Sequence, residues 1–326
     1  MKCLITGGSG FIGGHLAEEL ARRGDDVYCL VRKTSNTQWL RKLNVKLVEG
    51  DCRDKGSLRN AVRGMQVIFH LAAVIDALNW EIYYEANTKG TQNLIECCLE
   101  EAPGIKRFVF VSSISACGPS DPGRRMTEDD PCRPNSGYGR SKCLAEEIVL
   151  GYKDRLPVSI IRPPNVLGPR QKELFESMKL IRKRIQPIIG SGEPQTSLAG
   201  VDDVVKALIL AAEKDESRGR VYFVTDGRDY AWGEITNTIA ELLGVKKILI
   251  KVPYGPQYLI AWASEMAGRM RGKTPLVSRQ HVVAARKCYW LYDGSKIERE
   301  LGFRASMDMR GALKKTVDWY RGQGLL

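Results

Sequence analysis

Tyr138 and Lys142 are the residues of this sequence whose types and spacing best fit acid–base chemistry. They lie four positions apart in a segment with helical periodicity, so a helix would place the phenol and the ammonium on one face. A free Tyr has a pKa near ~10, and an adjacent cation favours the phenolate and lowers that pKa. The pair is predicted to give and take a proton, although a surface Tyr over a salt-bridged Lys has the same pattern.

Ser112 and Ser113 follow the apolar run Phe108–Val111, which is predicted to be a strand. Open α/β sheets bind their ligands at the carboxyl ends of their strands, and a serine hydroxyl there can hydrogen-bond a reacting oxygen. The alternative is that the two serines only cap the following turn. The order of this strand and the Tyr138 helix favours the catalytic interpretation.

A glycine cluster occupies the first turn of the chain. The apolar segment Lys2–Thr6 leads into Gly7, Gly8 and Gly10, and an amphipathic segment follows. A strand, a tight turn and a helix in this order suit a dinucleotide pyrophosphate, because glycines let the backbone approach the phosphates and the helix N-terminus offers free N–H groups. The sequence therefore predicts a dinucleotide site here rather than an ordinary glycine-rich turn.

The elements that must position these residues alternate between strands and helices. Strands are predicted at 2–6, 26–31, 45–49, 67–71, 107–111 and 158–162, with helices such as 56–62, 88–100 and 138–153 between them. Parallel strands need crossover connections, so the alternation predicts an α/β fold with a Rossmann-like, doubly wound parallel sheet.

The pattern loosens after Arg162, where prolines and glycines interrupt it. Helices are predicted at 172–184, 201–214, 231–243 and 310–321, and a strand at 221–224. We therefore expect a dinucleotide-binding domain at 1–165, to which the chain returns near 198–226. Residues 166–197 and 227–326 are expected to form a smaller, mostly helical C-terminal substrate lobe.

The second predicted strand ends in Arg32 and Lys33. NAD-binding folds usually carry an acid at this position, which holds the ribose hydroxyls. A guanidinium can instead pair with a 2′-phosphate that an acid would repel. The sequence thus predicts that NADP(H) is preferred over NAD(H).

Composition narrows the class of protein. The 326 residues are 43% apolar and 27% charged, with nine scattered cysteines, three separated histidines and a net charge of +12. This predicts a globular cytoplasmic protein with reduced thiols and no metal site. A first strand beginning at Lys2 leaves no room for a signal peptide, and no apolar run is long enough to span a membrane. The dispersed basic residues argue against nucleic acid, but an anionic ligand or membrane surface stays open.

The segment Pro253–Gly272 is rich in Met and aromatic residues and is followed by basic ones. The plain interpretation is a helix packed in the core of the small lobe. The alternative is an apolar wall for a lipophilic substrate, with peripheral contact to a membrane.

Taken together, these motifs resemble the extended short-chain dehydrogenases/reductases, in the NAD-dependent epimerase/dehydratase superfamily, over nearly the full chain. The supporting segments are 6–13, Gly50-Asp51, His70–Ala73, Asn87 with Gly90-Thr91, Ser112-Ser113, Tyr138 with Lys142, Arg162–Asn165 with Gly168-Pro169, Val201–Asp203, and Ser295-Lys296 with Leu301–Phe303. The resemblance implies a catalytic triad of Ser113, Tyr138 and Lys142, with Ser112 as the alternative serine, and a homodimer. His70 is expected to be structural.

With the motifs above, the resemblance implies a set of cofactor-binding residues. They are Gly7, Gly10, Phe11, Ile12, Arg32, Lys33, Asp51, Cys52, Leu71, Ala72, Ala73, Tyr138, Lys142 and Pro164. Tyr83, Thr127 and Asn165 are predicted substrate contacts.

The branch of the superfamily is less determined. Asn165 matches a position that often contacts sugar nucleotides, but Thr196-Ser197-Leu198 stands where those enzymes usually carry an Arg that clamps the diphosphate. The Pro253–Gly272 region resembles that of 3β-hydroxysteroid dehydrogenase-like and dihydroflavonol reductase-like proteins. We therefore expect an NADP(H)-dependent interconversion of a ketone and a secondary alcohol on a hydrophobic, steroid- or flavonoid-like small molecule. The alternatives are a sugar-nucleotide epimerase or dehydratase, and a non-catalytic NADP(H)-sensing protein.

Overall fold

The computed structural model describes residues 1–189, 194–252, 254–271 and 289–326. Its large sheet has seven strands, all parallel, in the order β10-β6-β5-β4-β1-β2-β3. These strands are β1 (Lys2–Thr6), β2 (Asp26–Val31), β3 (Lys46–Glu49), β4 (Val67–His70), β5 (Arg107–Val111), β6 (Val158–Arg162) and β10 (Arg220–Phe223). The strand order reverses between β1 and β4, which is where doubly wound sheets bind ligands.

Helices cover both faces of this sheet. They are α1 (Phe11–Arg22), α2 (Lys55–Val62), α3 (Trp80–Tyr83), α4 (Gly90–Glu101), α5 (Gly137–Gly151) and α7 (Val201–Glu213), and a π-helical turn at Tyr84–Lys89 joins α3 to α4. Leu16 of α1 and Leu208 of α7 pack on one face, and Leu58, Leu94 and Val149 of α2, α4 and α5 pack on the other. The strands β4, β5 and β6 are buried along their whole length because they lie between the two layers.

The α/β class and the parallel sheet predicted from the sequence are confirmed. The six strands expected before residue 165 are present, with bounds that agree within one residue. The near-continuous apolar sequences of β4, β5 and β6 are typical of parallel strands covered on both sides, which made these strands readable from the sequence.

A smaller lobe is built from short strands and helices. Four strands form one sheet: β7 (Asn165–Leu167), β9 (Gln195–Gly200), β11 (Asp229–Ala231) and β13 (Tyr289–Trp290); β8 (Ile185–Ile189) pairs with β12 (Ile248–Val252). The remaining helices are α6 (Lys172–Arg182), α8 (Trp232–Leu243), α9 (Tyr254–Arg271), α10 (Ser295–Leu301) and α11 (Met309–Gly322). The short strands were not predicted. The chain rejoins the large sheet at α7 and β10, whereas β9 pairs within the small sheet.

Helix α9 is only partly packed. Ala261 is fully buried, but Leu259 is 65% exposed and Trp262 is 49% exposed. The structure therefore does not support the interpretation of this segment as a helix packed in the core. No described helix is both long and apolar enough to cross a membrane.

Candidate active site

A cleft of about 580 Å³ opens at the carboxyl ends of the central strands, beside the point where the strand order reverses. All predicted cofactor residues except Lys33 line it, and so does Ser113. Because β2 and β3 lie on one side of β1 while β5 lies beyond β4, the cleft has two distinct parts. We call the part at Arg32, Ser35, Asp51 and Arg53 the cationic end, and the part at Ser112, Ser113, Tyr138 and Lys142 the catalytic end.

The glycine turn brings backbone atoms together tightly. Gly7 has a φ of +74°, and a Cβ atom on it would lie 2.7 Å from the backbone nitrogen of Ala72. A Cβ on Gly13 would lie 2.3 Å from the carbonyl oxygen of Gly7, so a larger residue would push α1 away from β1. The N-cap of α1 is Gly10, which has no side chain to cap the helix. Gly10 lines the cleft together with Phe11 and Ile12. The helix N-terminus is thus available to an anionic group.

The cationic end carries two guanidinium groups. Arg32 lines the cleft, and its backbone N–H donates to Ser35 Oγ over 3.0 Å. Arg53 also lines the cleft and binds Asp51, with 2.7 Å between Nη2 and Oδ2. The hydrogen bond from Arg53 lowers the pKa of Asp51. The Asp51 carboxylate is neutralised locally, so the net charge offered to a ligand here is positive.

Lys33, in contrast, points away from the cleft. Its side chain is 82% exposed, and Nζ lies 3.5 Å from Glu49 Oε1. The prediction that Lys33 binds the cofactor is therefore not supported by its position. Lys33 lies in the turn after β2 and pairs with Glu49 at the end of the neighbouring strand β3.

The catalytic end depends on helix α5. Ser136 caps this helix by accepting a hydrogen bond from Gly139 N over 3.0 Å. Lys142 is 2% exposed, and its Nζ donates to the carbonyl oxygen of Val111 over 2.7 Å. Burial disfavours the ammonium and lowers the pKa of Lys142 to about 7. This lysine is therefore poised to change its charge near neutral pH.

The phenol of Tyr138 differs from the sequence expectation. Burial raises its pKa to about 12, and a hydrogen bond with Ser113 acts in the opposite direction. The expected lowering relied on a fully charged Lys142, whereas burial weakens that charge. The protein alone therefore holds Tyr138 as a proton donor, which suits reduction of a carbonyl group.

The two serines have different surroundings. Ser113 Oγ accepts a hydrogen bond from Ser115 N over 3.1 Å and interacts with Tyr138. Ser112 is 4% exposed and also lines the cleft, yet its hydroxyl has no hydrogen-bond partner among the described residues. A buried hydroxyl without a partner is costly unless a ligand or water satisfies it. Together with the uncapped N-terminus of α1, this hydroxyl fits a dinucleotide bound along the cleft.

A buried network connects the glycine turn to the catalytic helix. His70 lies 2.7 Å from Thr6 Oγ1 through Nδ1 and 2.9 Å from Thr91 Oγ1 through Nε2. Asn87 donates to Ser141 Oγ over 2.9 Å, next to Lys142 in the chain. Burial lowers the pKa of His70 to about 3, so the imidazole stays neutral. These contacts are those of a structural histidine.

Three predicted substrate contacts do not line this cleft. The hydroxyl of Tyr83 accepts from Ala77 N and donates to Ile75 O, and Thr127 bonds Asp130. Asn165 donates to Thr196 Oγ1 over 3.0 Å. Each side chain is used within the protein instead: Tyr83 at the end of α3 bonds the chain before that helix, Thr127 bonds its own turn, and Asn165 of β7 bonds β9.

Sequence reasoning missed several residues of the cleft. Arg53 and Ser35 belong to the cationic end, and Ile75 and Ile82 contribute apolar surface. Arg53 could have been found, because it lies two residues after Asp51, which was already a predicted cofactor residue. Ile75 lies on a loop and Ile82 on the four-residue helix α3, so neither belongs to a segment long enough to show a period. No group of three or more possible metal ligands occurs among the described residues.

The fold and the cleft define a dinucleotide-binding α/β protein, and comparisons with known proteins identify its family. A profile of the NAD dependent epimerase/dehydratase family matches residues 3–225. The chain belongs to this family. It is 27% identical to 3beta-hydroxysteroid-dehydrogenase/decarboxylase isoform 1 of Arabidopsis thaliana, over 97% of this chain and 79% of that protein.

Relatives of another kind are equally similar. The chain is 30% identical to UDP-glucose 4-epimerase of Vibrio cholerae, over 85% of this chain and 84% of that protein. It superposes on the crystal structure of DesIV, a dTDP-glucose 4,6-dehydratase from Streptomyces venezuelae with NAD bound, with a TM-score of 0.82 and 28% identity, over 99% and 97% of the two chains. The resemblance inferred from the motifs is confirmed, and the chain is an oxidoreductase of this family that uses a nicotinamide cofactor.

Proposed function

We propose that the protein is an NADP(H)-dependent oxidoreductase that interconverts a ketone and a secondary alcohol on a hydrophobic small molecule. The observation that carries this proposal is the composition of one cleft. Ser113, Tyr138 and Lys142 line the same cavity as the glycine turn and Arg32. When bound, a nicotinamide cofactor supplies or accepts the hydride, and the protein supplies the proton.

Each catalytic side chain has a distinct role in this proposal. Tyr138 donates its phenolic proton to the carbonyl oxygen during reduction and recovers it during oxidation. Ser113 donates a hydrogen bond to the same oxygen and positions it. Lys142, whose Nζ donates to Val111 O, holds the nicotinamide ribose in this proposal. When Lys142 is protonated, its charge favours the phenolate form of Tyr138.

The preference for NADP(H) rests on the cationic end. Arg32 replaces the usual acid after β2, and Arg53 neutralises Asp51 beside it. A 2′-phosphate would meet net positive charge here. Comparing the Kd values of NADPH and NADH for the purified protein tests this part directly, and equal values would contradict it.

A hydrophobic substrate is favoured over a sugar nucleotide by two features. Ile75 is 63% exposed and Ile82 is also exposed, and both line the cleft. On β9, where a diphosphate clamp would be expected, Ser197 is buried and donates to Asp229. This stretch of β9 therefore offers no cation to a diphosphate.

A substrate screen tests the reaction. We expect NADPH oxidation with flat, hydrophobic ketones, and loss of that activity in Tyr138→Phe. Turnover of UDP- or dTDP-sugars with no turnover of ketones would favour the epimerase or dehydratase alternative. Tight NADPH binding without turnover of either class would favour a sensing protein.

Three further predictions stay as predictions. The homodimer follows from the family resemblance, and the cytoplasmic location follows from the composition. Peripheral membrane contact is supported by the exposed apolar residues of α9 and β12, Leu259 and Ile248 among them.

A further inference from the structure

Cys117 and Cys132 lie side by side next to the catalytic end of the cleft. Neither belongs to the glycine turn or to the catalytic triad. Cys117 follows the 3₁₀ turn Ile114–Ala116 and is buried, whereas Cys132 is partly exposed on the loop before α5. Their sulfur atoms are 3.7 Å apart. A hydrogen bond of 2.7 Å from Arg133 N to Cys117 O ties the two segments together. The pair is therefore held in proximity by the backbone.

A buried cation faces the more exposed thiol. Nη2 of Arg162 lies 3.2 Å from Cys132 Sγ, and the same guanidinium is paired with Glu146 at 2.6 Å. Nη1 of Arg162 has no hydrogen-bond partner among the described residues. The guanidinium is thus fixed by its ion pair with Glu146, and the same Nη2 group contacts the Cys132 sulfur. A positive charge at this distance favours a thiolate.

The pKa values of the two thiols are shifted in opposite directions. The hydrogen bond with Cys117 and the charge of Arg162 lower the pKa of Cys132 to about 7. The same hydrogen bond and burial raise the pKa of Cys117. One sulfur is therefore a nucleophile at neutral pH and the other stays a protonated neighbour. This asymmetry is the one that redox-sensitive cysteine pairs use.

We propose that Cys132 is a modification site that reacts with hydroperoxides and that Cys117 is its resolving thiol. The Cys132 thiolate attacks one peroxide oxygen, so that an S–O bond forms while the O–O bond breaks, and the leaving oxygen takes up a proton. The Cys117 thiol then attacks the sulfenic sulfur, an S–S bond forms, the S–O bond breaks, and water leaves. The two sulfurs lose two electrons in total, and the peroxide gains them.

The position of the pair couples it to catalysis, and this part rests on the proposed function. Cys117 lies four residues after Ser113, and a disulfide requires the sulfurs to approach to about 2.0 Å. Gly139 of α5 packs so closely that a Cβ there would lie 2.1 Å from Ser115 O. A shift of the turn at 114–116 is therefore expected to displace Ser113 relative to Tyr138. Oxidation should lower kcat severalfold and be reversed by dithiothreitol.

The decisive experiment detects the Cys117–Cys132 disulfide bond itself and does not depend on enzyme activity. The purified full chain is treated with equimolar hydrogen peroxide at pH 7, its remaining thiols are alkylated, and its peptides are mapped by mass spectrometry. We expect a linked Cys117–Cys132 peptide that has lost two hydrogen masses. Because this readout needs no substrate, it stays informative even if the proposed reaction is wrong.

Variants separate the two roles. Cys117→Ser should leave a sulfenic acid at Cys132 that dimedone traps, and Cys132→Ser should abolish both products. Cys143 is a hydrogen-bond neighbour of Cys132 and burial raises its pKa to about 12, so it is not an independent control. Cys97→Ser is the matched control, because the Cys97 thiol lies on α4 and donates to Lys55 O over 3.7 Å, and burial raises its pKa. It should leave the linked peptide unchanged. Melting temperatures show whether each variant is folded.

The rate of iodoacetamide labelling provides a second measurement on the unmodified protein. Labelling of Cys132 should reach half its maximum near pH 7 and exceed that of Cys143 at pH 7 by about tenfold or more. A folded wild-type protein that yields no Cys117–Cys132 link would overturn the proposal. So would a Cys132–Cys143 link, or labelling of Cys132 no faster than that of Cys143.

Discussion

The two ends of the cleft differ in how far their charged groups are exposed to solvent. At the cationic end Arg53 and Asp51 form an ion pair that is in part open to solvent, so their charges persist. At the catalytic end Lys142 is buried, and its pKa falls to about 7. We therefore expect charge to discriminate between ligands at the cationic end, whereas burial tunes proton affinity at the catalytic end. Substitutions should therefore change cofactor binding at the first end and turnover at the second.

Tyr138→Phe should have the largest effect. Removing the phenolic proton is expected to lower kcat by about 10²–10⁴-fold, because general acid catalysis contributes this much. The Kd of NADPH should change little, since the ring that packs in the cleft is retained. Steady-state kinetics and a fluorescence titration measure the two quantities. A loss of NADPH binding equal to the loss of turnover would remove the distinction between the ends.

Ser113→Ala should rank second, with kcat lowered by about 10²-fold through loss of one hydrogen bond to the reacting oxygen. Ser112→Ala is its matched control, because Ser112 lines the same cleft without contributing to the interaction with Tyr138. The control should retain kcat within a few-fold. If Ser112→Ala were the more damaging substitution, the catalytic serine would be the other one.

Arg32→Asp should act at the cationic end alone. We expect NADPH to bind about 10-fold more weakly, since a charge-assisted contact to the 2′-phosphate is replaced by repulsion. The wild-type affinity should also fall with added salt, because this end is accessible to screening ions. Lys33→Asp is the control and should change the Kd much less, because Lys33 faces Glu49. Equal effects of the two substitutions would contradict the assignment.

The smallest predicted effect concerns stability. Lys142 has a pKa of about 7 in the folded protein, and an unfolded Lys has one near ~10.4. Between these values the unfolded chain binds more protons than the folded one, so stability rises with pH across this window. The free energy of unfolding of the wild type, relative to Lys142→Met, should rise by about 1 kcal/mol from pH 8 to pH 9.

Urea unfolding of both proteins at the two pH values measures this difference. Lys142→Met keeps an unbranched side chain of similar length in the buried position, so other titrating groups cancel in the comparison. A difference that is independent of pH would mean that Lys142 stays charged in the folded state.

The sequence predicted most of what lies in the large sheet. Its central strands β4, β5 and β6 are buried on both faces and its helices on one, so apolar runs and hydrophobic periodicity marked these elements within one or two residues. The small lobe was predicted less well, because β7 and β13 have only three and two residues, too few positions to show a period. The predicted substrate contacts Thr127 and Asn165 do not line the cleft, since no sequence pattern fixes the direction of these side chains, and they stay predictions.

By itself the sequence determined the chemistry that is available: a glycine turn that lets phosphates approach, a cation where an acid would select NAD, and a Tyr and a Lys one helical turn apart. These features are local, and their consequences follow from backbone geometry. The protonation states of the side chains in the cleft depend on the tertiary structure. Burial raises the pKa of Tyr138 and lowers that of Lys142, and folding turns Arg162 towards Cys132. Desolvation and long-range contacts depend on residues far apart in the chain, so no local pattern encodes them.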